Sequence, residues 1–387
     1  MMRRKLGCVL LLSALLLGLL GGCGQNGGGA GNAMCAYSYD AEKQTYDLCL
    51  PAGEGWVRLK FAHETKPLEE GKRYENRDVW RFRQAASGML EQGSDGSLSF
   101  RAGQVFATGG AWEAAVYVDG QKSAVGPYHG YEKDSECAIL VDGEALTQPA
   151  ENVPLTQCKT FEITTKGQLF KFGTKDEAVA DLVREYKVQA GGFTLHQQYT
   201  WKVDGDHAAY LAMLPILRNT KEGVQITDQV TTDMDKETYD VSVAGHSTPV
   251  SQDTEGVRKA TISGEESGIT AEISVDFDNL FHVDTVEQYN KLYFRYGDGQ
   301  PDKAGDVWDV NAAYSFQCAP LPEQAPAAEA PAQEKTPAET QPAEEQPAET
   351  PAAEETPAEA QTEEQAPAEG QAEEQTAEET PAEEQTT

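Results

Sequence analysis

The chain has 387 residues, a formal net charge of −33 and a sequence pI of about 4.4. So acidic a chain repels phosphate backbones, so its charge argues against a nucleic-acid partner. The sequence contains no Gly-x-Ser-x-Gly nucleophile motif, no phosphate-binding loop and no dinucleotide-binding fingerprint, which argues against the enzyme classes built on them.

The first 22 residues have the pattern of a secretory signal. Positions 3–5 are Arg-Arg-Lys, and a mostly apolar run follows over residues 6–20. This run of about 15 residues is shorter than the roughly 20 that a membrane-spanning helix needs. Residues 20–23, Leu-Gly-Gly-Cys, resemble the lipobox of bacterial lipoproteins. The resemblance implies that Cys23 is acylated and holds the exported protein in the lipid bilayer, on the extracytoplasmic face of the cell membrane. An ordinary signal peptide with a chance cysteine is the alternative.

Composition divides the remaining chain into three parts. Residues 23–32 combine the anchor with a glycine-rich stretch that is typical of a flexible linker. Residues 33–318 contain the aromatic residues of a folded ectodomain. Residues 319–387 consist mainly of Pro, Ala, Glu, Gln and Thr and contain no aromatic residue, so they predict a disordered acidic tail. A long Ala/Glu helix is disfavoured there because each interior proline costs about 3 kcal/mol.

Short runs of alternating apolar and polar residues dominate residues 33–318, as in Trp-Val-Arg-Leu-Lys-Phe at 56–61. Asp-Gly pairs, the strongest local hairpin signal, separate several of these runs. We therefore predict an all-β fold: one large antiparallel β-sandwich of jelly-roll type with little helix. Residues 174–177 form a capping-box pattern, which predicts a short helix ending near Asp181, with a strand over residues 184–188 as the alternative.

The predicted ectodomain contains five cysteines, and export would permit disulfides. Cys35 and Cys49 flank a hairpin-like stretch that, when folded about Glu42, places the two cysteines opposite each other. We therefore predict a disulfide between Cys35 and Cys49. A pair between Cys137 and Cys158 is also possible, and one cysteine must remain unpaired.

The first candidate for chemistry is a glycine-bounded loop, Gly-Pro-Tyr-His-Gly-Tyr-Glu, at residues 126–132. Histidine is the natural general base near neutral pH, and a carboxylate can orient it. These residues make His129 a candidate catalytic residue and make Tyr128 and Glu132 candidate ligand-binding residues. A loop that only caps the edge of the sheet is the alternative.

The second candidate lies in an alternating strand over residues 195–201. His196 and Gln198 share one face, which suits a surface that holds sugar hydroxyls. His196 is therefore a second candidate catalytic residue and Gln198 a candidate ligand-binding residue. A solvated outer face is the alternative.

The third candidate is a basic and phenolic stripe formed by Lys291, Tyr293 and Arg295, which alternate along one strand. The run Tyr-Phe-Arg-Tyr-Gly at residues 293–297 resembles the Tyr-Phe-Lys-Ala-Gly strand of jelly-roll alginate lyases. The resemblance implies that Tyr293 acts as an acid/base beside a histidine, while Lys291 and Arg295 neutralise a uronate. The other strand motifs of that family have only poor counterparts here, Arg-Phe-Arg at 81–83 and His196.

Two further features suggest a ligand. Asp298, Asp302 and Asp306 lie in one polar loop and offer the oxygen ligands that calcium prefers, although aspartate is also common in turns. We treat structural calcium as the one possible cofactor. Trp308 is expected to be exposed, and we predict that it stacks on sugar rings. We predict the same for the aromatic residues Tyr128, Tyr131 and Trp201.

These features favour a membrane-anchored extracytoplasmic module that binds a glycan or another extracellular ligand without turnover. The first alternative is a polysaccharide-cleaving enzyme of the lyase type that uses His129 or His196 together with Tyr293. The second alternative is a structural spacer or wall-interaction protein in which the acidic tail matters most.

Overall fold

A computed structural model describes residues 34–69, 72–220, 222–296 and 301–322. The predicted signal, the acylation site Cys23, the linker and the acidic tail beyond residue 322 lie outside the described residues. These predictions therefore remain predictions.

Alternating sequence patterns become strands throughout the described residues. The strands are β1 (Cys35–Asp40), β2 (Thr45–Ala52), β3 (Gly55–Lys66), β4 (Arg77–Gln92), β5 (Leu98–Thr108), β6 (Ala115–Tyr117), β7 (Glu132–Val141), β8 (Glu144–Leu146), β9 (Val153–Cys158), β10 (Phe161–Phe170), β11 (Ala178–Gln189), β12 (Gly192–Trp201), β13 (Ala208–Leu217), β14 (Gln229–Thr232), β15 (Thr238–Asp240), β16 (Thr254–Glu255), β17 (Lys259–Gly264), β18 (Ile269–Val275), β19 (Asn279–Thr285), β20 (Tyr289–Tyr296) and β21 (Val307–Cys318). A 3-10 turn covers Pro249–Ser251. Within the described residues no helix is long and apolar enough to cross a membrane.

The strands pair into two layers. In the first layer the order is β9-β1-β2-β3-β4-β5, and the layer continues through β13, β20, β19 and β16. In the second layer the order is β8-β7-β10-β11-β12-β21-β18-β17-β14-β15. A two-residue parallel pairing of β4 with β7 joins the layers, and the pairings within each layer are antiparallel.

Aromatic side chains fill the space between the two layers. The ring centroids of Phe82 on β4 and Phe193 on β12 lie 4.5 Å apart, and those of Phe106 on β5 and Phe316 on β21 lie 5.9 Å apart. All four side chains are buried. Burial of such rings is the main favourable term in folding. The prediction of a large antiparallel β-sandwich with little helix is confirmed.

The predicted short helix ending near Asp181 is wrong, because β11 covers this segment. The buried residues Leu182, Arg184, Tyr186 and Val188 alternate along β11 and point into the sandwich. The sequence does not show this two-residue apolar period clearly, because an arginine occupies one of the core positions. Strand pairing with β10 and β12 on both sides overrides the local capping pattern.

The arginine at that core position belongs to a buried polar network. Arg184 forms an ion pair with Glu132 on β7, and its Nε atom donates to Oε1 of Gln197 at 2.9 Å. Its Nη2 atom also donates to the Tyr199 hydroxyl at 3.0 Å. Glu132 is 0% exposed, so it neither binds an external ligand nor orients His129, and its predicted role in the site is wrong.

The predicted disulfide between Cys35 and Cys49 does not fit the strand register. Ala36, not Cys35, lies opposite Cys49 on the neighbouring strand. The side chain of Cys35 points into the core between the layers, whereas that of Cys49 points away from it, because neighbouring strand residues face opposite sides. Cys35 instead lies opposite Cys158 on β9.

Candidate functional site

A tight loop presents the first pair of candidate residues. Gly126 and Gly130 exchange backbone hydrogen bonds of 2.9 and 2.8 Å, which closes the loop around Tyr128 and His129. Gly130 has φ of +89°, and a Cβ atom there would lie 2.2 Å from the carbonyl oxygen of Glu75. Only glycine combines this backbone conformation with so close an approach. The backbone conformation of the loop therefore explains the glycines of the sequence motif.

This loop is fastened to the segment that leads into β4. The backbone N–H of Tyr74 donates to the carbonyl of His129 at 3.1 Å, and Arg77 donates through Nη1 to the carbonyl of Tyr128 at 2.6 Å. The guanidinium of Arg81 lies over the Tyr128 ring, 5.1 Å from its centroid. The rings of Tyr74 and Tyr128 are 5.3 Å apart. The loop side chains are thus held by both backbone and side-chain contacts.

The outer face of β20 carries the other candidates. Leu292 and Phe294 are fully buried in the core, so the intervening Lys291 and Tyr293 point to the opposite face of the layer. The Nζ atom of Lys291 lies 4.6 Å from the Tyr293 ring centroid.

Two residues of neighbouring strands complete this aromatic group. The ring of Tyr210 on β13 lies 4.9 Å from that of Tyr293, and His282 on β19 stacks on Tyr293 at 4.8 Å. His282 is also the direct cross-strand partner of Tyr293.

The loop and β20 pack on the same group of small buried side chains. Tyr128, Tyr210 and Tyr293 are partly exposed, and all three pack on one buried cluster of small side chains. The cluster comprises Ala111, Ala115, Ala124 and Met213, and Tyr117 also packs against it. Alanines leave room for the rings to lie close to the backbone. We name the surface formed by Tyr128, His129, Tyr210, Lys291 and Tyr293 the aromatic–basic face.

Charges of both signs border this face. On the side of β19, Asp253 lies 3.0 Å from the His282 ring, and Asp284 is the direct cross-strand partner of Lys291. Three arginines of β4 converge on one carboxylate, that of Glu64, with Arg77, Arg81 and Arg83 at 3.1, 3.0 and 2.6 Å. Burial would raise the pKa of Glu64, but the attraction of the three guanidinium groups outweighs it and lowers the pKa below its ordinary value. Because one carboxylate faces three cations, positive charge remains in excess beside Tyr128.

The imidazole of His129 is neutral at physiological pH. Burial, together with the smaller effects of the cations Lys291, Arg73, Arg81 and Arg77, lowers its pKa from 6.5 to about 3. Its buried Nδ1 atom has no hydrogen-bond partner among the described residues. This nitrogen is enclosed by protein and does not itself face a ligand at the surface, and a neutral imidazole can form a hydrogen bond through its other nitrogen as well.

The tertiary structure therefore brings together four residues proposed from sequence: Tyr128, His129, Lys291 and Tyr293. Arg295 extends the same face of β20, is exposed and lies opposite Tyr210 on β13. Of the two histidines proposed as catalytic, only His129 belongs to this surface.

His196 and Gln198 lie on the outer face of the second layer, because their neighbours Leu195 and Gln197 are buried between the layers. The ring of His196 bridges Glu185 at 3.0 Å and Asp309 at 2.8 Å, and these carboxylates raise its pKa against the opposing effect of burial. Gln198 donates to the same Asp309 at 3.3 Å. This surface is separate from the aromatic–basic face, so His196 does not act beside Tyr293.

The predicted sugar-stacking role of Trp308 is wrong because the side chain is buried. It is 5% exposed and packs edge-on against Trp201, which is also buried. Tyr131, named for the same role, is buried as well. Within this group of four aromatics, Tyr128 alone is partly exposed.

The proposed calcium loop is described only in part, because Asp298 lies outside the described residues. Asp302 accepts a hydrogen bond from Trp308 Nε1 at 2.8 Å, and Asp306 accepts one from the backbone N–H of Lys303 at 2.8 Å. Over the described ranges no three His, Cys, Asp or Glu side chains are grouped as a metal site. Calcium at this loop stays a prediction.

Sequence reasoning missed Tyr74, Tyr210 and His282. Pairing the strand ending at Thr285 with the strand beginning at Tyr289 as a tight hairpin would have placed His282 opposite Tyr293. No comparable local signal marks Tyr210, because β13 and β20 are far apart in sequence.

No known protein-family profile matches the chain, and no curated protein matches it. Solved structures with a similar backbone include the Slr1438 protein from Synechocystis sp. PCC 6803, with 10% identity and a TM-score of 0.31. The match covers 76% of this chain and all of that chain. A galactose mutarotase-like protein from Lactobacillus casei ATCC 334 has 8% identity and a TM-score of 0.32 over 70% of this chain and all of that one.

Heparan sulfate lyase HepC from Pedobacter heparinus has 7% identity and a TM-score of 0.32. The match covers 72% of this chain and 36% of the lyase. The names of this lyase and of the mutarotase-like protein refer to carbohydrates. At these scores neither activity is transferred to this chain.

Proposed function

We propose that this chain is a lipid-anchored extracytoplasmic protein whose β-sandwich binds an acidic glycan on the aromatic–basic face. The supporting observation is the convergence of partly exposed tyrosine rings, the partly exposed His129 and cations on one surface. Sugar rings present apolar faces that pack on aromatic side chains, and their hydroxyls need polar partners.

The charge distribution favours a glycan that carries carboxylates or sulfates. The chain as a whole has a net charge of −33, and a general acidic surface repels anions. Beside Tyr128, however, three arginines share the carboxylate of Glu64; Arg77 and Arg81 are buried and Arg83 is exposed. Lys291 lies over the Tyr293 ring, opposite Asp284 on β19. A local cationic surface on an acidic protein selects a ligand that is anionic and small enough to stay within it.

Binding to a panel of soluble uronate-containing and neutral glycans tests the proposal. The purified full-length protein in detergent is titrated by calorimetry, and Tyr128→Ala is expected to weaken binding about 2- to 10-fold, the loss of one aromatic contact. Gln198→Ala on the second layer is the matched control and should bind like the wild type. Binding that survives Tyr128→Ala and Tyr210→Ala together would place the ligand elsewhere.

A polysaccharide lyase is the second candidate, favoured because His129 and Tyr293 belong to one face. A neutral imidazole can accept the proton next to a uronate carboxyl group, although the low pKa of His129 makes it a weak base, and a phenol can give a proton to the leaving glycosidic oxygen. Lys291 would neutralise the carboxylate while negative charge develops. The unsaturated product absorbs ultraviolet light, so its appearance distinguishes the enzyme from the binding module. A spacer would show neither binding nor product.

A further inference from the structure

Cys35 and Cys158 face each other across the strand pair that begins the described part of the chain. They are direct partners in the antiparallel register of β1 with β9, and both side chains are buried in the core between the layers, at 2% and 0% exposure. Directly opposed residues of an antiparallel pair point to the same side and have Cβ atoms about 4.5–5.5 Å apart. The two cysteines are free thiols in the structure, and a small approach of the strands brings this separation within the range of a disulfide.

The same register excludes the competing partner on β2. Cys49 aligns with Ala36, and Ala36 aligns in turn with Gln157 on β9. These three residues occupy one side of the layer, while Cys35 and Cys158 occupy the other. The remaining cysteines, Cys137 and Cys318, lie in β7 and β21, and neither strand pairs with β1 or β9.

We propose that Cys35 and Cys158 form a disulfide in the exported protein. The proposal rests on the extracytoplasmic location proposed above, where an oxidant is available. The oxidant is a protein or small-molecule disulfide. The thiolate of one cysteine attacks it, forming a mixed disulfide and releasing one thiolate of the oxidant. The thiolate of the other cysteine then attacks the protein sulfur of the mixed disulfide and releases the oxidant's second thiolate. One Sγ–Sγ bond forms, the oxidant's sulfur–sulfur bond breaks, and the two protons from the cysteines pass to the two thiols released.

The burial of both thiols determines when this step occurs. Burial raises the pKa of Cys35 and of Cys158 to about 12, so the folded reduced protein holds almost no reactive thiolate. Strand β9 has six residues and, among the described strands, pairs only with β1. Oxidation therefore takes place before β9 docks or while it is detached, and the closed disulfide is protected from reductants.

The cross-link would secure the strand that follows the predicted lipid anchor most closely in sequence. Cys35 is the first residue of β1 and follows the predicted linker from the acylated Cys23. Any pull from the lipid anchor reaches β1 first. A covalent bond to β9 would hold this strand on a side where only four residue pairs join it to its neighbour.

Peptide mapping of the full-length protein from an exporting bacterial host tests the proposal. Membranes are dissolved under denaturing conditions without reductant, free thiols are alkylated, and the digest is analysed by mass spectrometry. The expected result is one cross-linked peptide containing Cys35 and Cys158, with Cys49, Cys137 and Cys318 alkylated. Alkylation of both Cys35 and Cys158, or a link from Cys35 to Cys49, would overturn the proposal.

Thermal unfolding of the folded protein gives an independent readout. A strong reductant, added under conditions that permit β9 to open, should lower the Tm of the wild type by at least about 4 °C. Cys49→Ser should retain this shift, whereas Cys158→Ser should lose it. Glycan binding by the same sample separates the two proposals, because a missing cross-link with binding retained overturns only the disulfide.

Discussion

Arg184 on β11 and Glu132 on β7 form an ion pair that is buried at the centre of the β-sandwich. Both side chains are essentially inaccessible to solvent, and Nη2 of Arg184 donates to Oε2 of Glu132 at 3.0 Å while Nη1 donates to the other oxygen. The strand β10 lies between β7 and β11, so the pair connects strands that are not direct neighbours. Gln197 and Tyr199 on β12 extend the contact to a third strand.

Removing the arginine should destabilise the protein strongly. Arg184→Met is similar in length but leaves the Glu132 carboxylate buried without its partner, which typically costs about 3–5 kcal/mol. The free energy of unfolding is measured by urea denaturation. Lys166→Met, which breaks the exposed pair with Glu136, is the control and should cost no more than about 1 kcal/mol. A loss below that value for Arg184→Met would show that water or another group replaces the arginine.

The low pKa of His129 predicts a loss of stability in acid. Its pKa is about 3 in the folded protein and 6.5 in the unfolded chain, so the unfolded state binds the extra proton first. The contribution is present above pH 6.5 and is lost as the pH falls from 6.5 towards 3, by up to about 1.4 kcal/mol per pH unit. His129→Gln should flatten this part of the pH–stability curve. His246→Gln, at an exposed position, is the matched control and should leave the pH–stability curve close to that of the wild type. Equal pH–stability curves for the wild type and His129→Gln would contradict the low pKa assigned to His129.

Tyr293→Phe separates binding from catalysis. The substitution keeps the ring that contacts Tyr210 and His282 and removes only the hydroxyl. In a lyase, loss of proton transfer should lower turnover by about 100- to 10,000-fold with binding nearly unchanged. In a binding module the cost should not exceed about one hydrogen bond, roughly 0.5–1.5 kcal/mol. Affinity by calorimetry and product absorbance distinguish these results, and unchanged activity in a proven lyase would remove Tyr293 from the reaction.

Binding of an acidic glycan should weaken as salt is added. Salt screens the attraction between the ligand and the cations of the aromatic–basic face. Lys291→Met should reduce both the affinity, by up to about 1 kcal/mol, and its salt dependence. Titrations at low and high salt measure both quantities. An affinity that is independent of salt would show that the cations do not recognise the ligand.

Cys23→Ala should release the protein from membranes or leave an unprocessed precursor. The reason is that the lipobox pattern ends at this cysteine, and stable anchoring by lipid needs more than one acyl chain. Partition between detergent and aqueous phases measures the effect. Cys8→Ala, within the predicted signal, is the control and should partition like the wild type. A Cys23→Ala protein that still enters the detergent phase would disprove acylation at this site.

Local patterns were sufficient to predict the all-β fold. The run at residues 56–61 became part of β3, and Asp142-Gly143 forms the two-residue turn between β7 and β8 with both residues at positive φ. These signals are readable because strand alternation and hairpin turns depend on residues next to one another. The loop around His129 was recognisable from its glycines for the same reason.

The tertiary structure decided which of the candidate residues act together. His129 and Lys291 are far apart in sequence, and only the packing of the loop on the first layer brings them to one face. No local pattern specifies strand register, and the register of the structure places Cys158, not Cys49, opposite Cys35. No local pattern marks Arg184 as a core residue, because burial of a charge is costly and only its contact with Glu132, 52 positions earlier in the chain, offsets that cost.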